Sequence, residues 1–282
     1  MRPSVALEPR TRARSMNRFV CLRRLGALSA MGLGLGLSVT AQAQVFGWVP
    51  AQAEPDRWAL GGAVAVRQRP FVGVERKTNV LPVLMYESRW FRVAGAGAEL
   101  KLWRLDTSPK QTLDVGLRLG YDDEGYKASD SPRLGGMAKR KGSFWGGPAV
   151  TWETPWAHLS ADWMTDLSGN SKGQKLQLGV EHRMRWGALG VTPRVRAQWS
   201  DRKVVDYYYG VRADEVRVDR AAYAGKSAFQ VEAGLRVDYA LAGRHGVFMD
   251  LGVTRLPSAV TDSPIVDRRS VSRAIVGYMY RF

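Results

Sequence analysis

Cysteine, histidine and long apolar runs are the scarce features of this 282-residue chain, which holds one cysteine, Cys21, and three histidines, His158, His182 and His245. Cys21 precedes the apolar run Leu25 to Val39 instead of closing it, so it does not sit where a lipoprotein cleavage box would place it. If that N-terminal stretch is removed, no thiol remains, which excludes disulfides, thiolate catalysis and cysteine-ligated zinc together. No later stretch approaches 18 uncharged apolar residues, so a helical membrane protein is excluded as well. What these absences leave open is an exported soluble protein or a membrane β-barrel.

The net charge of +16 divides unevenly. Residues 1–43 carry seven arginines against the single acid Glu8, and the rest of the chain carries +10. Basic residues, then the 15-residue run Leu25 to Val39, then Ala41-Gln42-Ala43 make the three-part layout of a secretory signal. Residues 1–43 are therefore expected to be a signal peptide cleaved after Ala43, with Ala41 and Ala43 as the small residues the peptidase needs, and residues 44–282 to be the mature domain. Met16 is as good a start as Met1, because Arg18, Arg23 and Arg24 alone supply the positive region.

Beyond Arg57 the apolar residues recur at every second position, which places them on one face of extended strands. Phe229, Val231, Ala233, Leu235, Val237 and Tyr239 alternate with polar residues or glycine, and so do Leu113 to Tyr121, Leu176 to Trp186 and Leu189 to Trp199. Soluble strands cluster at about 5–6 residues, whereas strands crossing a bilayer at a tilt need about 9–11, the range these segments occupy. Tryptophans and tyrosines sit near the segment ends, where a bilayer has its interfaces, and the polar faces carry full charges at mid-strand (Arg118, Glu181, Arg183, Arg194, Glu232, Arg236), which suits a wet lumen.

The pattern predicts an all-β fold, a transmembrane antiparallel up-and-down barrel of about twelve strands, at 57–67, 79–88, 89–95, 97–105, 111–121, 142–153, 156–166, 174–186, 188–199, 227–241, 246–255 and 271–282. Pro82 makes the region 79–105 the weakest part, with ten strands as the fallback count. Long connections at 67–79, 122–141, 200–226 and 256–270 are expected outside the cell and short turns in the periplasm. Tyr278, Tyr280 and Phe282 end the last strand on one face, the pattern that the barrel assembly machinery reads.

Few residues offer chemistry. His158 and Ser160, two apart, share a strand face, as do the base and nucleophile of outer-membrane lipid hydrolases. Here Leu159, Ala161 and Trp163 make the lipid face, so His158, Ser160 and Asp162 are expected to point into the lumen, away from any lipid substrate. Asp122-Asp123-Glu124 lacks the spaced ligands of a calcium loop and reads as a solvated acidic cluster. No cofactor, metal or catalytic residue is expected. The positive charge shows no one-sided stripe for nucleic acid; basic outer loops are expected to meet lipopolysaccharide phosphates, and Arg183/Arg185 and Arg194/Arg196 to pair with Glu181, Glu232 and Asp238 inside the barrel.

Four loop segments, in order, carry a resemblance: Leu81-Pro82 with Tyr86; Leu134-Gly135-Gly136-Met137 with Arg140; Tyr207-Tyr208-Tyr209-Gly210-Val211 with Glu215 and Tyr223; and Asp262-Ser263-Pro264-Ile265-Val266. In this combination the chain resembles the MipA/OmpV family of outer-membrane proteins, the MltA-interacting proteins, over about Trp58 to Phe282. The resemblance implies a non-enzymatic barrel in the outer membrane of a Gram-negative bacterium, surrounded by outer-membrane lipid and lipopolysaccharide. It further implies a scaffold for a lytic transglycosylase and a penicillin-binding protein in cell-wall remodelling, with a passive channel or surface adhesin as the alternative. Gly136, Met137, Arg140, Tyr207, Tyr208, Tyr209, Gly210, Asp262, Ser263 and Pro264 would then be loop residues that either build structure or bind a partner.

Overall fold

The computed structural model describes residues 57–282. The signal segment 1–43, including Ala41 and Ala43, lies outside the described residues. The alternating stretches form β1 (Arg57–Arg67), β2 (Lys77–Glu87), β3 (Phe91–Ala94), β4 (Gly97–Ser108), β5 (Gln111–Asp122), β6 (Ser143–Glu153), β7 (His158–Asp166), β8 (Gln174–Glu181), β9 (Met184–Trp186), β10 (Leu189–Ser200), β11 (Ala228–Ala240), β12 (His245–Arg255) and β13 (Ser270–Arg281). Every pairing is antiparallel, and β13 returns to β1 in the register Ala59 opposite Arg281 through Arg67 opposite Arg273, so the sheet closes on itself. Closure leaves no free edge at either chain end, the condition for exposing a β-sheet to hydrocarbon.

The expected stave 174–186 is divided into β8 and β9, both paired to β10, so the barrel has twelve staves. Pro193 on β10 is the cause of the division. The His182 amide donates to the Pro193 carbonyl at 3.2 Å, so the backbone of residue 193 faces β8, where a proline has no N–H to return. Around Pro82 the expected strand 89–95 shrinks to the four residues of β3, while β2 begins two residues earlier than expected.

Two faces follow from the pleat. Outward residues such as Leu60, Val64, Leu117, Leu119, Trp163, Val195, Phe229, Val253 and Val276 are exposed and apolar. Inward residues form three ionic clusters. In the first, Arg118 bridges Glu99 (2.9 Å) and Asp162, and Arg92 and Lys101 both bind Glu87. In the second, Arg194 donates to both carboxylate oxygens of Asp250 (2.7 and 2.8 Å), and Arg273 holds Glu232 (3.0 Å) and Asp250 (3.4 Å). In the third, Lys175 contacts Asp122 (2.9 Å) and Glu124 (3.4 Å). Arg183 pairs with Asp238 and Arg194 approaches Glu232, as expected, whereas Asp250 and Arg273 are partners that strand alternation alone did not single out. A fourth sector of the lumen is apolar: Ala59, Ala63, Ala65, Phe248, Ile275 and Met279 pack with Leu81, Val83 and Met85.

The connections 68–76, 123–142, 167–173, 201–227 and 256–269 lie at one end, joined by the two-residue turn 95–96; the turns 88–90, 109–110, 154–157, 187–188 and 241–244 lie at the other. Long loops mark the extracellular end. They fold over the mouth as a cap containing α1 (Arg202–Tyr209) and α2 (Ser258–Thr261).

Candidate functional site

The cap gathers most of the loop motifs into one structure. α1 starts where the Asp201 carboxylate accepts from the Val204 amide at 2.9 Å, filling a donor that the first helical turn leaves open. Its buried face, Val204, Val205 and Tyr208, turns toward the barrel, and it stops at Gly210, whose amide donates to Asp206 O at 2.9 Å. A Cβ at Gly210 would lie 2.3 Å from that same oxygen, so the helix end requires glycine.

Beneath and beside α1 the cap has its own apolar core of Phe71, Tyr126, Leu134, Met137, Val205, Val211, Leu256, Val260, Ile265 and Val266, drawn from four different loops. Each such aliphatic or phenyl side chain contributes about 1.5–3 kcal/mol relative to exposure, which is why connections of this length hold one arrangement. Phe71 meets Tyr126 edge-on at 4.6 Å and lies over Tyr209 at 5.8 Å.

The polar centre of the cap is Arg140 with Glu215, both side chains 1% exposed. Arg140 donates to Glu215 Oε2 at 2.8 Å, to the Tyr207 carbonyl at 2.7 Å and to the Ala138 carbonyl at 3.1 Å. Glu215 also accepts from the amides of Ala138 (2.8 Å) and Arg212 (3.1 Å). Burial alone would raise the Glu215 carboxyl pKa, but the hydrogen bonds from Arg140, Arg212 and Ala138 outweigh it and hold the group below the usual carboxylate range. Burial pushes the Tyr126 phenol up to about 12 and the Tyr208 and Tyr209 phenols higher still, so all three stay neutral.

The remaining motif residues attach to this centre. The Tyr207 hydroxyl accepts from the Lys141 amide at 2.8 Å, and the Tyr208 hydroxyl donates to the Lys141 carbonyl at 3.3 Å. Ser263 donates to the Tyr209 carbonyl at 2.6 Å, and Tyr223 to the Ala259 carbonyl at 2.9 Å. Gly136 adopts φ +78°, Met137 is buried, Pro264 is half-buried and Asp262 is exposed on the outer surface. Leu81, Pro82 and Tyr86 stand apart from the cap, on β2.

Three cations, two in the cap and one on β8 beneath it, were missed from sequence. Arg220 donates to the carbonyls of Glu215 (2.9 Å), Arg133 (2.7 Å) and Gly135 (3.1 Å). Arg69 reaches the carbonyls of Asp123 and Gly125. Lys175 lies 4.2 Å from the centre of the Trp145 ring, below α1. An arginine in a loop normally signals exposure, and no spacing rule marks one that binds carbonyls. The reading of 122–124 is also corrected: Lys175 pairs with Asp122 and Glu124, Lys77 pairs with Asp123, and Arg69 binds the Asp123 carbonyl, so the segment is not a solvated cluster.

His158, Ser160 and Asp162 face the lumen. His158 Nδ1 is 3.8 Å from Glu153 Oε1, Ser160 lines a luminal cavity of about 90 Å³, and Asp162 is held by Arg118; among the described residues no hydrogen bond joins His158 to Ser160. At the chain end Tyr278 shares a 2.5 Å contact with His245 Nδ1, and Tyr280 meets Phe282 edge-on at 5.0 Å.

Comparison with known proteins places these features. The chain is 28% identical over 253 residues to the MltA-interacting protein of Escherichia coli, covering 89% of this chain and 98% of that one. It is 27% identical over 234 residues to the putative outer membrane protein YiaT of the same organism, covering 82% and 94%. It is 25% identical over 165 residues to the outer membrane protein OmpV of Vibrio cholerae, covering 58% and 63%. A closed barrel with an apolar outer face and relatives of this kind is an outer-membrane protein. With residues 60–282 matching the model for MltA-interacting protein MipA, the chain belongs to that family.

Proposed function

We propose that the chain is a non-enzymatic scaffold of the outer membrane, which holds cell-wall enzymes, a lytic transglycosylase and a penicillin-binding protein, at its periplasmic end. The observation that carries the reading is the cap. Its apolar core and its Arg140–Glu215 centre cover the extracellular mouth while ionic clusters span the interior, an arrangement suited to holding a shape rather than passing solute. The relative named MltA-interacting protein supports the choice of partners. On this reading residues 1–43 are removed at Ala41-Gln42-Ala43 during export, and Tyr278, Tyr280 and Phe282 present the last strand to the barrel assembly machinery. The motif residues of the cap serve its structure, and its exposed cations meet lipopolysaccharide.

Affinity capture from detergent-solubilised membranes tests the reading: the intact protein should retain cell-wall hydrolases and synthases, and capture of neither overturns it. The channel alternative predicts stepwise conductance in planar bilayers, which the closed cap should suppress. A lipid hydrolase built on His158 and Ser160 predicts lipase activity abolished by Ser160→Ala.

A further inference from the structure

The barrel wall is not continuous between β2 and β4. β3 pairs with β2 only at Met85, Tyr86 and Glu87, and the ladder ends where the Gly95 amide donates to Leu84 O at 3.1 Å. Among the described residues no strand pairs with β2 on that side from Lys77 to Val83, a length of about 23 Å at the usual rise per residue. Pro82 sits inside this stretch, where a proline is tolerated because an edge strand has no second neighbour to bond. The gap is a bounded window. Its sill is the β3–β4 turn with the Tyr121 amide on Ala96 O (3.2 Å), and its lintel is Lys77 on Asp123 (2.8 Å).

Of the inward residues along this edge, Lys77 and Asn79 near the lintel are polar, and those nearer the sill are apolar. Leu81, Val83 and Met85 are only half-buried, and behind them lie the fully buried Phe248, Ile275 and Met279. A barrel lumen is ordinarily polar, as it is here in the other three sectors. Outside, Val80 is 78% exposed to the membrane. At the outer end of the same edge stands the exposed cation Arg76, next to the Lys77–Asp123 pair.

We propose that the window admits one hydrocarbon chain of an anionic membrane lipid, which lies against Leu81, Val83 and Met85 while its phosphate is held by Arg76. The bilayer supplies that chemistry at this depth, and the exposed guanidinium of Arg76 complements it. Lipid would then be a lateral component of the barrel, seated without opening the cap.

The test uses the full chain with Cys21→Ser and single cysteines labelled with a small fluorophore at Val83 (window), Leu84 (outer face) and Gln230 (polar lumen). Each is placed in vesicles of phosphatidylglycerol or phosphatidylcholine brominated on the acyl chains. The label at Val83 should be quenched by brominated phosphatidylglycerol as strongly as that at Leu84, less by phosphatidylcholine, and should be shielded from iodide; the label at Gln230 should respond to iodide alone. Arg76→Glu should remove the preference for the anionic lipid. Quenching at Val83 by iodide alone means a water-filled window, and quenching by neither means that protein covers it; either result overturns the proposal. Heat-modifiable migration identifies variants that have folded.

Discussion

Replacing Glu215 by alanine probes whether the cap is a separate cooperative unit. The change removes one carboxylate that receives three hydrogen bonds and leaves the Arg140 guanidinium, 1% exposed, without its counter-charge. Breaking a buried pair from one side costs about 3–5 kcal/mol, because the surviving charge stays desolvated. The loss falls on the cap, since the hydrogen-bond partners of the Glu215 carboxylate, namely Ala138, Arg140 and Arg212, all lie in loops and none belongs to a strand ladder. Amide exchange at Ala138, Val211 and Tyr223 should therefore quicken by roughly two to three and a half powers of ten, at one power for each 1.4 kcal/mol, while exchange in β11 and β12 stays at the wild-type rate. Arg133→Ala, which removes an exposed pair with Asp219, should change cap exchange by less than about 1 kcal/mol. Acid should reproduce the effect. The folded-state pKa of Glu215 is depressed, so its stabilisation is complete above the unfolded value of about 4.3 and is lost as pH falls through the lower folded value. Cap exchange unchanged in Glu215→Ala, or wall strands that loosen equally, would refute the reasoning.

Three further outcomes follow from the same geometry. Lys175→Met leaves Asp122 and Glu124 facing each other without their shared cation; trypsin should then cut at Lys127 and Arg133 in intact membranes, and continued resistance counts against the role assigned to Lys175. Gly136→Val places a β-branched residue at φ +78°, at a cost of about 1–2 kcal/mol, and should accelerate exchange locally around residues 134–140; a silent substitution would mean that the turn can relax. Deletion of Phe282 should lower the heat-modifiable fraction in the outer membrane while leaving detergent refolding of the purified chain unchanged; equal membrane levels would remove Phe282 from assembly.

Sequence alone determined the wall, and a physical reason explains why. A strand between lipid and a wet lumen must alternate, with period two, over its whole length, so each strand such as Phe229 to Tyr239 carries its own evidence. The same locality explains the disturbances at Pro82 and Pro193, since a proline removes a ladder donor wherever it stands. The motif loops were legible as a group, but their convergence was not. Only tertiary structure decided that Arg140 and Glu215, 75 residues apart in sequence, share one buried site, that Arg220 binds carbonyls instead of solvent, and that Lys175 neutralises the acidic segment 122–124. Contacts between loops depend on where a closed barrel brings their ends, and no residue spacing within a single loop records that position.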